Sequence, residues 1–280
     1  MGQTLRTKTT TFVTIYKKTQ VLPHWTEQKN KEWKDLVGKS FTPPDEIHAK
    51  YYPNRGLYNS NDEKILKEQF KEMRRAGICG VVVSWWGRPD EEGTHDTQGV
   101  NTDEIVETVV RAAMEVEGIF IGFHLEPYVG RSASKVFLDV QYLNLRFQDF
   151  SSTLLKDDRG RIVYYIYDSY HISSSDWKQE LKELRDESFF VGLVLDRNGV
   201  QHVVDSDFDG GYTYFASDGF SFGSTTSNWN SISNQLHDHD VAFIPSVGPG
   251  YDDSSIRPWN VRFFSLFFFF YTHTHTHTFI

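Results

Sequence analysis

The sequence predicts an α/β chain of the (β/α)8 class, incomplete, with about six of the eight strand–helix units. Three observations predict it. Six short apolar runs recur, rich in β-branched and aromatic residues: Ile78–Trp86, Phe120–Tyr128, Ile162–Tyr170, Phe189–Asp196, Tyr212–Ala216 and Val241–Gly248. Segments with helical periodicity separate most of them, the pattern of buried parallel strands joined by crossover helices. Most of the runs end in polar or aromatic residues, and a barrel of this class carries its chemistry at the C-terminal ends of its strands.

Taken in order, residues 1–19 show no clear periodicity and read as a separate N-terminal segment. Residues 20–60 read as ordered loop, because Pro43-Pro44 and Tyr51-Tyr52-Pro53 interrupt regular structure. A helix opens at Asn61-Asp62, places Ile65, Leu66, Gln69, Phe70, Met73 and Ala76 on one face, and closes at Gly77 before the first strand. A second opens near Thr102-Asp103-Glu104, turns Ile105, Val106, Val109, Val110 and Ala113 inward, and ends by Gly118. A third spans 136–147. Ser174 or Ser175 is the expected cap of a fourth that holds Trp177, Leu181 and Leu184. The connection from Asp196 to Tyr212 has room for at most two helical turns, and a last helix covers 226–239.

Residues 20–260 therefore form the partial barrel, and residues 261–280 stand apart. Val261–Tyr271 is dominated by Phe, and Thr-His alternation follows through Thr278. Imidazoles at i and i+2 share a strand face and can ligate a metal. The repeat instead suits translated dinucleotide-repeat DNA after a pyrimidine-rich stretch, so this tail reads as a translated intron or gene-model error.

Composition limits the function classes. The net charge of −9 disfavours a nucleic-acid partner, which needs clustered Lys and Arg. Cys79 is the single cysteine, which leaves no intrachain disulfide and no thiolate metal site. No apolar run reaches the roughly 18–20 residues of a membrane span. Met1–Thr11 is polar and basic and does not read as a signal peptide. Aromatic residues make up 15% of the chain, and those at strand ends suit a ligand with flat apolar faces, such as a sugar ring.

The candidate site follows from strand ends. In His124-x-Glu126-Pro127-Tyr128 the proline stops ladder pairing, so Glu126 is presented at the mouth. Asp168 holds the matching place on the next strand, beside Tyr167 and Tyr170. Adjacent strands lie about 4.8 Å apart, so the two carboxylates can approach the roughly 5–5.5 Å of a retaining glycosidase pair. The competing reading has Asp168 accepting backbone N–H groups and Glu126 binding a ligand hydroxyl, with no proton transfer by either. Trp85-Trp86 ends the first legible strand, and at most one of the pair faces a ligand. Asp205, Asp207 and Asp209 alternate as in a calcium loop, but Ala216 stands where its final glutamate belongs. That segment reads as a tight approach to a strand. Ser246–Tyr251 is a glycine-bearing strand-end loop, and Arg257-Pro258-Trp259 offers a cation and an aromatic face.

Several strings taken together resemble glycoside hydrolase family 99, the endo-α-1,2-mannosidases. They are Thr42-Pro43-Pro44-Asp45, Ser84-Trp85, Phe123–Tyr128, Tyr165–Tyr170, Phe208-Asp209-Gly210 with Tyr212–Ala216, Gly219-Phe220 with Phe222–Ser224, and Phe243–Tyr251 through Ser255–Asn260. The resemblance implies a (β/α)8 barrel that trims glucosylated mannose from N-glycans on the lumenal side of the Golgi membrane, with retention and without a metal or other cofactor. One glutamate of the family deprotonates the sugar 2-hydroxyl, which attacks the anomeric carbon; the other protonates the leaving oxygen. Both lie in an Asn-Glu-Trp-x-Glu-Gly segment that does not occur in residues 1–280. The family's first strand and membrane anchor are likewise expected to be missing or replaced. Catalytic residues are thus unassigned. The substrate-binding candidates are Trp85, His124, Glu126, Tyr128, Asp168, Tyr170, Tyr214, Arg257 and Trp259. The expected partner is a mannose-containing N-glycan, and the chain as written is expected to be inactive. A catalytically dead glycan-binding protein and a non-functional fragment are the alternatives.

Overall fold

The structure, a computed structural model, describes residues 42, 44–47, 51–88, 102–214 and 218–248, together with the backbone of 9–13. Its core is one sheet of seven parallel strands in sequential order. The strands are β1 (Thr9–Val13), β2 (Ile78–Trp85), β3 (Phe120–Leu125), β4 (Ile162–Ile166), β5 (Ser188–Leu193), β6 (Gly210–Tyr212) and β7 (Ala242–Ile244). The helices are α1 (Glu63–Arg75), α2 (Thr102–Met114), α3 (Ala133–Arg146), α4 (Ser174–Glu180), α5 (Arg197–Asp205) and α6 (Trp229–His237). From α1 onward helix and strand alternate, so each strand returns parallel to its predecessor.

Local chemistry sets the helix starts. Asp62 accepts the amides of Lys64 and Ile65 at 2.9 and 3.3 Å and starts α1. Ser132 caps α3, and Asp196 caps α5 through Asn198 and Gly199. Gly77 and Gly118, at φ +84° and +82°, turn the chain out of α1 and α2 toward the next strand.

The sheet curls. β3 and β6 are three strand spacings apart, roughly 14 Å on a flat sheet. Yet His124 Nε2 and the Tyr212 hydroxyl are 2.8 Å apart, and the rings of Tyr165 and Tyr212 meet edge to face at 5.1 Å. Alternation then sorts the side chains. Val81, Val83, Trp85, Ile121, Phe123, Tyr164, Ile166 and Phe190 face the helices and build the larger core. Val82, Tyr165, Val191, Leu193 and Tyr212 line the inside of the curl. The result is an incomplete (β/α)8 barrel.

Four details differ from the sequence reading. Residues 1–19, read as aperiodic, contain β1, which pairs in parallel with β2 from Thr9 to Val13. Its Thr-Thr-Thr-Phe-Val composition is β-branched and so strand-prone, but polar enough to hide an apolar signal. β6 lies earlier than the 212–216 run because Gly210 and Gly211 join the ladder on both sides. A Cβ on Gly211 would sit 3.0 Å from Leu236 Cδ1, so a glycine lets α6 press closely on the strand. The cap of α4 is Ser173, whose hydroxyl accepts the Asp176 amide at 3.2 Å, not Ser174 or Ser175. α5 has nine residues, slightly more than the expected two turns. Among the described residues no helix is long and apolar enough to cross a membrane.

Candidate active site

β3 delivers the central pair. Its strand ends at Leu125, the Glu126 amide still donates to Trp85 O at 2.9 Å, and the chain then turns about Pro127, where the Tyr128 amide donates to Glu126 O. His124 and Ser84 are register partners on β3 and β2, and both reach the Glu126 carboxylate. His124 Nδ1 lies 2.7 Å from Oε1, and the Ser84 hydroxyl donates to the same oxygen. Glu126 is only 7% exposed. Among the described residues both hydrogen bonds converge on Oε1, which leaves Oε2 as an acceptor.

Tyr212 completes a chain of contacts. Burial pushes its phenol well above the usual range, with the Glu126 charge adding to the effect. Its O–H therefore donates to His124 Nε2, and His124 donates Nδ1–H to Glu126, which fixes the imidazole tautomer. Ser84 and Tyr212 thus hold the His124–Glu126 pair from two strands.

Above this chain lies an aromatic ledge. Tyr214, 37% exposed, stacks on His124 with ring centroids 5.7 Å apart and 20° between planes. Tyr167 leans on Tyr214 at 4.7 Å and on His124 at 5.3 Å. Asp168 follows at φ +48° and accepts the Tyr170 hydroxyl at 2.9 Å. Partial burial and that bond push the Tyr170 phenol up to about 12. Burial, then the Asp168 charge, pushes Tyr167 up as well. These tyrosines accordingly stay protonated at neutral pH.

Arg131 lies at the same mouth. It donates to Tyr167 O at 2.7 Å, Asp168 O at 2.9 Å and Leu125 O at 3.3 Å. Burial lowers its pKa, and the Asp168 charge opposes that shift. Ser169 ties the loop to its surroundings: its hydroxyl accepts the Leu193 amide, and its carbonyl accepts Trp177 Nε1–H at 2.8 Å and His202 Nε2–H at 3.2 Å.

Of the nine binding candidates, His124, Glu126 and Tyr214 meet directly, and Asp168 and Tyr170 join them through Tyr167. Trp85 and Tyr128 lie on the outer face. Trp85 is fully buried against the helices and donates Nε1–H to Asp103 Oδ1 at 2.8 Å. Tyr128 donates its hydroxyl to the buried Asp139 on α3. Trp86 packs partly buried against the same layer. Arg257 and Trp259 lie outside the described residues. Ser84, Tyr167, Tyr212 and Arg131 were not singled out as binding residues, although strand parity with His124 marks Ser84 as inward-facing.

The aspartates of 205–209 are engaged locally. Asp205 accepts Gln201 Nε2, Asp209 pairs with Arg161 at 2.6 Å and accepts the Phe190 amide, and Asp207 sits in a turn at φ +60°. Among the described residues no group of three or more His, Cys, Asp or Glu is arranged to hold a metal ion.

Comparison with known proteins identifies the family. A glycoprotein endo-alpha-1,2-mannosidase-like protein of Mus musculus is 33% identical over 253 residues, covering 85% of this chain and 55% of the relative. The glycoprotein endo-alpha-1,2-mannosidase of Xenopus laevis is 32% identical over 255 residues, covering 85% and 56%. The chain thus spans about half the length of the curated relatives it matches. The solved GH99 endo-alpha-mannosidase from Bacteroides thetaiotaomicron superposes with a TM-score of 0.76 at 29% identity, over 91% of this chain and 75% of that one. With a curled parallel barrel, a carboxylate–imidazole pair at its mouth and residues 13–265 matching the model for glycosyl hydrolase family 99, the chain belongs to that family.

Proposed function

We propose that the mouth built by His124, Glu126, Asp168, Tyr170 and Tyr214 is the substrate cleft of a retaining endo-α-1,2-mannosidase of N-glycan processing. Arg257 and Trp259 belong to the same cleft in this reading, while Trp85 and Tyr128 support it from behind. The observation that carries it is the asymmetric Glu126 carboxylate. Ser84 and His124 both engage Oε1, which turns Oε2 toward a sugar hydroxyl, and charge-assisted bonds of that kind contribute about 1.5–3 kcal/mol each. Tyr214 and Tyr167 offer apolar faces to a pyranose ring. The names of the relatives supply the glycoprotein substrate and the α-1,2 linkage, and the Golgi lumen follows from the same resemblance.

Residues 1–280 contain no Asn-Glu-Trp-x-Glu-Gly segment, so this reading assigns them binding without hydrolysis. General acid and base catalysis contributes roughly 10²–10⁴-fold per group, and this reading assigns neither role within residues 1–280. Calorimetric titration of the 280-residue chain with a glucosylated high-mannose glycan should give saturable binding. Chromatography of the same mixture should show no released glucosyl-mannose. Absence of binding contradicts the cleft, and release at an enzymatic rate contradicts the assignment of binding alone.

A further inference from the structure

We infer that Arg131 is the positioning residue that sets the spacing between the Glu126 and Asp168 strand ends, and through it the fit of the glycan. The inference rests on reading the mouth as a glycan cleft. Arg131 follows Gly130, whose φ of +76° turns the β3–α3 loop back over the strand ends. Its guanidinium then donates to three carbonyls at two strand ends: Leu125 O, from the last residue of β3, and Tyr167 O and Asp168 O, just past the end of β4. Leu125 O also accepts the Tyr167 amide at 3.1 Å, so the fork closes a link the ladder has already begun.

Two properties suit only this side chain. A planar guanidinium presents several donors in fixed directions, whereas an ammonium is a point donor. Asp168 occupies the left-handed region at φ +48°, uncommon for a non-glycine residue though more accessible to Asp than to most. Arg131 bonds its carbonyl, Tyr170 bonds its carboxylate, and its carbonyl also accepts the His171 amide at 3.2 Å. Releasing the fork frees Asp168 to relax, which moves Tyr167 and hence the face it forms with Tyr214. The nearby positive charge also compensates the two mouth carboxylates, and Lys at this position would keep that charge while losing the geometry.

The test is R131K in the full 280-residue chain, with calorimetry against a glucosylated high-mannose glycan and hydrogen exchange read amide by amide. The expected result is affinity weakened about tenfold, with faster exchange at the Tyr167 and His171 amides. The amides of Val194 and Thr213, which bond across β5, β6 and β7, should keep wild-type rates. Wild-type affinity in R131K overturns the role of Arg131 while leaving the cleft intact. Exchange accelerated uniformly across the sheet also overturns it, because the residue would then act on global stability alone. A wild-type chain that binds no glycan overturns the functional reading and this inference with it.

Discussion

A carboxylate with both donors on one oxygen is unevenly satisfied, and Glu126 is such a carboxylate. Ser84 and the Tyr212–His124 chain engage one oxygen; the second keeps its acceptor capacity. Trp85 illustrates the opposite case. Its indole fills the space between β2 and α2 and donates to Asp103, which also accepts Tyr142 O–H at 3.0 Å and pairs with Arg146 at 2.7 Å. Replacing Trp85 by Phe should therefore lower unfolding free energy by about 1–3 kcal/mol, because a buried acceptor loses a donor. Glycan affinity of the folded fraction should not change. Denaturant melts beside a binding isotherm check both, and a tenfold affinity loss with unchanged stability would return Trp85 to the cleft. His124 and Glu126 were legible in the sequence because Pro127 marks a strand end. The face taken by Trp85 was not, because two adjacent tryptophans leave strand parity undecided. Arg131 was not legible either: its partners are the carbonyls of Leu125, Tyr167 and Asp168, and backbone acceptors leave no trace in side-chain identity.

Among the elements, the strands with continuous apolar runs stand where their composition puts them, and α1, α3, α4 and α5 begin at side-chain caps. Elements built from glycine or threonine were harder to see. β6 begins in Gly210-Gly211, where burial and close approach outweigh any apolar pattern, and β1 is mostly threonine, so its ladder with β2 carries no apolar signature. The loop after β6 shows the same dependence. Gly223 packs directly on the Val194 carbonyl, donates to Leu195 O at 3.1 Å and accepts Trp229 Nε1–H at 2.8 Å. A methyl group there would run into backbone, which cannot swing aside as a side chain does. G223A should cost about 1–3 kcal/mol of stability, the usual range for overpacking. It should also speed proteolysis near Phe220, which is exposed on that loop. A melting temperature equal to wild type would show that the loop does not need this contact.

For the whole molecule, a parallel sheet curls until residues three strands apart touch, and that curvature places β3 and β6 side chains in one site. Acidic net charge and aromatic ledges suit a neutral sugar better than a polyanion. The central claim is that Glu126 binds the glycan through the oxygen its neighbours leave unbonded. E126Q tests this most directly, because Gln keeps the shape and an acceptor for Ser84 and His124 but puts an N–H₂ donor in place of Oε2. Affinity for a glucosylated high-mannose glycan and melting temperature should be measured on the same preparation of the 280-residue chain. The account predicts affinity lowered by about tenfold or more with the melting temperature held near wild type. Unchanged affinity, with or without a loss of stability, would contradict it.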